Sequence, residues 1–175
     1  MTVSPYLGDD SLEPFTKAAV ENDAGIFVLV KTSNPGGGLW QDMVADGAPI
    51  YVHVARHVQS LAEKTVGKQG YGVVGAVAGA TYPEQLVELR EVMPNAWFLV
   101  PGFGSQGGTA EGVAGGFDEK GLGAIVNSSR GIIFAHARDE YREKFGDANW
   151  QGAVEQATKD MIAMLRADTS AGALG

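Results

Sequence analysis

An α/β fold built on a parallel sheet is predicted by three features of the chain. Its apolar runs are short and unbroken, as in Ile26-Phe27-Val28-Leu29-Val30 and Trp97-Phe98-Leu99-Val100, the pattern of strands covered on both faces. Segments with helical spacing lie between these runs, so parallel strands joined by right-handed crossovers follow. Glycine is frequent, 25 of 175 residues, and gathers where the apolar runs end, which fits tight strand-to-helix turns rather than a linker.

Thr2 to Tyr6 reads as the first strand. Ser11 to Asn22 follows as a helix, with Asp10 or Ser11 as N-cap, Glu13 and Pro14 in the first turn and Gly25 beyond its end. Ile26 to Val30 is the second strand and Thr32 to Gly38 a loop. Ala48 to Val66 is read as a helix with Ile50, Val54, His57, Val58, Leu61 and Ala62 on its inner stripe. Gly72 to Val77 is the third strand, and Pro83 to Met93 a helix with Leu86, Val87 and Leu89 inward. Trp97 to Val100 and Gly123 to Val126 complete five strands, with a short helix expected over Thr109 to Ala114. The charged run from Arg138 to Lys144 reads as solvated, with Asp139 pairing to Arg142 and Glu140 to Lys144 if it is helical. The last helix spans Trp150 to Leu165, with Trp150, Val154, Ala157, Met161 and Met164 on one packing stripe.

Two architectures accommodate this rhythm: an open doubly wound sheet, or part of a (βα)8 barrel. A whole barrel takes about 250 residues and eight strands. The chain has one domain's length, with 45% apolar residues to fill a core, and supplies about five βα units. If it belongs to a barrel, about three units are missing.

The formal charge of −8 argues against nucleic acid or an anionic membrane as partner, since both require a basic face. Cysteine is absent, so disulfides, thiolate metal sites and thiol nucleophiles are excluded. The amino terminus lacks the basic start and apolar stretch of a signal peptide, and a cytoplasmic setting is expected.

Two loops carry the chemistry. Pro101-Gly102-Phe103-Gly104-Ser105-Gln106-Gly107-Gly108 follows the fourth strand, and Asn127-Ser128-Ser129-Arg130-Gly131 follows the fifth. Glycines admit an anion to the backbone N–H groups, Gln106 adds an amide donor, and Arg130 adds a charged fork that suits phosphate. The plain alternative is a pair of tight turns with no ligand. The first loop also fits the dinucleotide fingerprint, but Asn127 stands where the confirming acidic residue belongs. Ser105 is no hydrolase nucleophile, since Phe103 replaces the glycine of the elbow. His53 and His57 share a helix face, but Val54 replaces the zinc-helix glutamate and no third ligand is apparent. Lys31, at a strand end, has the reach to enter the mouth but reads more readily as solvated, and Asp9 and Asp10 as helix-start charge and cap.

The chain resembles the carboxy-terminal half of orotidine 5′-phosphate decarboxylase, in the longer bacterial subgroup. The likeness rests on Thr2-Val3-Ser4-Pro5-Tyr6-Leu7-Gly8, Val28-Leu29-Val30-Lys31-Thr32-Ser33-Asn34-Pro35-Gly36, Val74-Gly75-Ala76-Val77 with Gly79-Ala80-Thr81-Tyr82-Pro83-Glu84, the glycine-rich loop, and Asn127 to Ile132. It covers nearly the whole chain in order. The resemblance implies a (βα)8 barrel of which residues 1–175 form one partial domain, a homodimer, and decarboxylation of orotidylate to uridylate in pyrimidine biosynthesis without metal or cofactor. It implies that Gln106, Arg130 and the Gly131 N–H hold the substrate phosphate. It further implies that Ser33 bonds the pyrimidine edge and that Val30 and Phe103 line the pocket beside the ring.

The family's catalytic run, aspartate-x-lysine-x-x-aspartate, does not occur in this sequence; Asp118-Glu119-Lys120 does not complete it. The expectation is therefore a fragment that grips substrate but lacks the catalytic residues and associates with its missing half or with a second copy. The competing expectation is a non-catalytic phosphate-binding half-barrel, and a more distant one is an open-sheet oxidoreductase.

Overall fold

The computed structural model describes residues 1–104 and 108–174. Five parallel strands form the main sheet: β1 (Thr2–Val3), β2 (Ile26–Lys31), β5 (Val74–Ala78), β6 (Phe98–Val100) and β7 (Ala124–Val126). They lie side by side in chain order, β1-β2-β5-β6-β7. A doubly wound sheet reverses direction at a switch point, whereas unbroken order is the progression of a barrel wall. One hand of crossover then puts α1 (Asp9–Glu21), α3 (Ile50–Glu63), α4 (Pro83–Val92) and α5 (Ala110–Val113) on one face.

The register separates the two faces. Val28, Ala76 and Phe98 lie in one row and are fully buried beneath the helices. Leu29, Val77, Leu99 and Ile125 form the opposite row, and Ile125 is 48% exposed. The expectation that every strand is covered on both faces thus fails at β7, which ends the sheet and has an open inner face.

Other boundaries move for local reasons. β1 stops at Val3 because Pro5 has no N–H for a ladder; Pro5–Leu7 turns instead as a 3-10 helix, capped by the Ser4 hydroxyl. α1 begins at Asp9, before either expected N-cap, so Asp9 and Asp10 charge its first turn while Pro14 falls inside it. The helix expected from Ala48 begins only at Ile50, because β3 (Val44–Ala45) and β4 (Ala48–Pro49) form a small antiparallel hairpin. Its turn is Asp46-Gly47, both at positive φ, an Asp-Gly signal present in the sequence. The inner stripe of α3 is Tyr51, Val52, Ala55, Val58, Gln59 and Ala62, rotated from the expected one, and Ile50 faces outward. On α4 Leu86 and Leu89 are buried and Val87 is exposed.

After β7 the chain forms α6 (Ser129–Ile133), a 3-10 turn, α7 (Asp139–Phe145) and α8 (Trp150–Asp168). The charged run is thus helical. Arg142 pairs with Asp139 at 2.6 Å, as its spacing predicts, while Glu140 pairs with Arg138 at 2.5 Å rather than with Lys144. On α8 the buried stripe is Ala153, Ala157 and Met161; Trp150 and Met164 are exposed. Among the described residues, no helix is long and apolar enough to cross a membrane.

Asp118 belongs to the turn that leads into β7, at the end of the sheet opposite the strand-end loops. Its Oδ1 accepts from the N–H groups of Lys120 and Leu122, and its Oδ2 from the Tyr71 hydroxyl at 2.8 Å. Burial and this bond push the Tyr71 phenol up to about 12. Burial opposes ionisation of Asp118, but the Leu122 N–H and the Tyr71 hydroxyl outweigh it and hold the carboxyl below its usual range. The raised phenol contributes stability that is complete below its ordinary pKa near 10 and is lost as pH climbs towards about 12. The depressed carboxyl contributes stability that is lost as pH falls through the acid range. Urea midpoints measured against pH are expected to drop at both ends, and Tyr71→Phe to flatten the alkaline drop. An unchanged alkaline slope in that variant would refute the assignment.

Candidate functional site

The carboxyl ends of β2, β5, β6 and β7 are sewn into one rim. The Gly79 N–H donates to the Lys31 carbonyl at 2.8 Å, the Ala80 N–H to the Pro101 carbonyl at 2.9 Å, and the Asn127 N–H to the Val100 carbonyl at 3.2 Å. Each bond continues a strand pairing one step into the loops. The four loops are therefore placed by the sheet rather than by their own stiffness, as precise ligand placement demands.

The loop after β6 doubles back on itself. Phe103 and Gly108 form a parallel bridge, and the Gly104 N–H donates to the Gly108 carbonyl at 2.8 Å. Gly102 and Gly104 sit at φ +101° and +73°, where a side chain is strained. Gln106 lies outside the described residues, as do its neighbours Ser105 and Gly107.

Ser128 ties this loop to the one after β7. Its buried hydroxyl donates to the Phe103 carbonyl at 2.9 Å. A Cβ on Gly131 would collide with that same hydroxyl, so packing favours glycine at this position. Sequence reading picked out Arg130 and Gly131 but gave Ser128 no role; a serine three residues before a loop glycine is too common to mark a cross-link.

Between these two loops and α8 lies a cavity of about 1330 Å³. Phe103, Arg130 and Gly131 all line it, with Gly104, Gly108 and Ser128 beside them. Arg130 is exposed and has no ion-pair partner among the described residues, so its charge is available to a ligand. On the far wall Tyr141 donates to Asp160 at 2.9 Å, and Gln156 Nε2 donates to the same carboxylate at 2.8 Å. Burial first, and then the Asp160 carboxylate, push the Tyr141 phenol up to about 12. Asp160 is held below its usual range by the Gln156 amide and the Tyr141 hydroxyl. Tyr141 thus stays protonated and Asp160 ionised through the neutral range.

Ser33 and Val30 do not line this cavity. Val30 is in the core, at 2% exposure. Ser33 lies on the rim, its carbonyl accepting from the Thr81 hydroxyl at 3.2 Å. Gly79 packs against its backbone so closely that a Cβ would stand 2.8 Å from the Ser33 nitrogen. The structure thus groups Phe103, Arg130 and Gly131 in one place and sets Ser33 further along the same rim. His53 Nε2 contacts the Ala45 carbonyl at 2.7 Å, and among the described residues no cluster of three or more metal-ligating side chains occurs.

Residues 1–145 match the family model described as Orotidine 5′-phosphate decarboxylase / HUMPS family. A curated orotidine 5′-phosphate decarboxylase from Rhodopirellula baltica is 57% identical over 166 residues, covering 95% of this chain and 55% of that protein. Its counterpart from Caldicellulosiruptor bescii is 45% identical over 136 residues, covering 78% of this chain and 45% of that protein. Among solved structures, Leishmania donovani UMP synthase superposes with a TM-score of 0.70 at 34% identity, over 95% of this chain and 33% of that one. Leishmania donovani OMP decarboxylase gives a TM-score of 0.62 at 31% identity, over 92% and 56%. The chain spans about half the length of the curated relatives it matches.

Proposed function

The chain belongs to the orotidine 5′-phosphate decarboxylase / HUMPS family, and from that premise we propose that it supplies the phosphate- and pyrimidine-holding half of an enzyme that converts orotidylate to uridylate and carbon dioxide. The observation that carries this reading is the unpaired Arg130 on the cavity wall, set beside the glycine loop that Ser128 ties to it. A guanidinium beside a strand-end glycine loop offers a phosphate a charged, planar donor fork that matches it in charge and in geometry. Gln106 and the Gly131 N–H complete the grip, Phe103 covers it, and Ser33 meets the pyrimidine edge from the neighbouring loop.

In the reaction the bond from ring carbon to carboxylate breaks, its electron pair stays on the ring, and a proton takes the place of the carboxylate. None of the residues assigned here delivers that proton, and the sequence contains no Asp-x-Lys-x-x-Asp run. This chain's contribution is hold and orientation: binding energy gained at the remote phosphate is available to constrain the reacting end. Groups that act on the carboxylate would project from complementary strands, which would also cover Ile125 and the free edges of β1 and β7. Such strands could come from the rest of a longer chain or from a second subunit. The alternative of a purely non-catalytic phosphate binder is favoured only by the missing run.

Calorimetric titration tests the reading. Uridylate is expected to bind this chain at least about tenfold more tightly than uridine, a difference of about 1.4 kcal/mol from the phosphate. Equal affinities would refute the phosphate grip. The chain by itself is expected to release no carbon dioxide from orotidylate, and turnover by the pure chain would overturn the division of work.

A further inference from the structure

Lys31 is the last residue of β2 and is almost wholly enclosed, its side chain 3% exposed. Burying an ammonium is costly unless the group is partnered, and an apolar side chain would fill the same space at less cost. Its surroundings are built for the charge. Nζ forms an ion pair with Asp42 and stands 5.2 Å from the Tyr51 ring centre and 5.7 Å from that of Tyr82. The Tyr51 hydroxyl is itself engaged, donating to Glu88 at 2.6 Å.

A bulge aims the side chain. Leu29 pairs with Val77, but Lys31 pairs with Ala78, so one residue of β2 is skipped. Lys31 therefore joins the row of Val28 and Ala76, beneath the helices, instead of following Leu29 onto the inner face. The solvated reading of Lys31 fails for this reason.

The next residue makes a second tie to the same partner segment. The Thr32 N–H donates to Gln41 Oε1 at 3.1 Å, and Gln41 Nε2 donates to Thr32 Oγ1 at 3.0 Å. Positions 31 and 32 are thus fastened to 42 and 41, closing the base of the loop that begins at Ser33 and includes α2 (Gly38–Gln41). Ser33 is the first residue past the closure.

We propose that Lys31 is a positioning residue: its ion pair with Asp42, backed by the Thr32–Gln41 pair, fixes the loop over residues 33–40 and with it the presentation of Ser33 to a pyrimidine. The ligand part of this rests on the reading of Ser33 given above; the loop part does not.

The experiment compares the wild-type chain with Lys31→Met, Lys31→Arg and Asp42→Asn. Amide hydrogen exchange reads the loop, and titrations with uridylate and with ribose 5-phosphate separate base-side from phosphate-side binding. In Lys31→Met, exchange over 33–40 is expected to quicken about tenfold with the sheet unchanged, as for a local opening. Uridylate is expected to bind about tenfold more weakly and ribose 5-phosphate as before. Lys31→Arg is expected to restore both. Asp42 is about half exposed, so Asp42→Asn breaks the ion pair without cutting into the apolar core and gives a second reading should Lys31→Met fail to fold. Unchanged loop exchange in Asp42→Asn, or equal loss of both ligands, overturns the proposal. A wild-type chain that binds uridylate no better than ribose 5-phosphate strikes down the Ser33 reading and the ligand part with it, while the exchange result still decides the loop part.

Discussion

Arg90→Met is expected to lower the stability of the chain by about 3–5 kcal/mol, the range for leaving buried polar groups without their charged partner. The Arg90 guanidinium donates to four carbonyls: Met93 and Ala96 at 2.9 Å each, Gly116 at 2.8 Å and Gly123 at 2.8 Å. It also lies 3.7 Å from the centre of the buried Phe98 ring. One side chain thus ties the end of α4, the entry to β6, the turn after α5 and the entry to β7. Burial pulls its pKa down to about 10, with Tyr71 and Asp118 opposing, so it stays charged at neutral pH and all its donors remain in use. Methionine would keep much of the volume and remove every bond. Thermal unfolding should begin on the order of 10 °C lower. A loss below about 1 kcal/mol would show that water replaces these bonds, and that the hub is less closed than its burial implies.

Arg130→Ala is expected to weaken uridylate binding by about 10- to 100-fold, with unfolding nearly unchanged. A charge-assisted hydrogen bond contributes about 1.5–3 kcal/mol, and about 1.4 kcal/mol is tenfold in affinity. Arg130 is exposed and has no partner within the described fold, so its removal strands no buried group. Affinity and stability should therefore separate, the reverse of what Arg90→Met shows. Arg130→Lys should recover part of the loss, because lysine keeps the charge but not the planar fork. Unchanged uridylate affinity in Arg130→Ala would remove the residue from the site.

Much of this was legible in the chain. The five apolar runs became five strands, and the loops at 101–108 and 127–131 do follow strand ends. Arg130, Gly131 and Phe103 line the same cavity. The hairpin at Asp46-Gly47 was legible too, but lay hidden within an over-long helix assignment. Lys31 was not legible. Its burial depends on a bulge between Leu29 and Lys31, and a one-residue shift in pairing leaves no mark on composition or periodicity. The Ser128 bond to Phe103 spans 25 residues and forms only because β6 and β7 are neighbours.

By itself the sequence determined where most of the strands and helices lie, and it marked two strand-end loops as candidates to hold an anion. Those properties are local: side-chain shape, apolar spacing and glycine act within a few residues of themselves. Only the tertiary structure decided that the strands run in unbroken order as part of a barrel wall. It alone showed which face of each strand the helices cover, and that Lys31 is enclosed while Ile125 is exposed. These depend on pairing between segments far apart in the chain. A strand's own residues state that it can pair, but its neighbour and its register are chosen by what the whole sheet can bury.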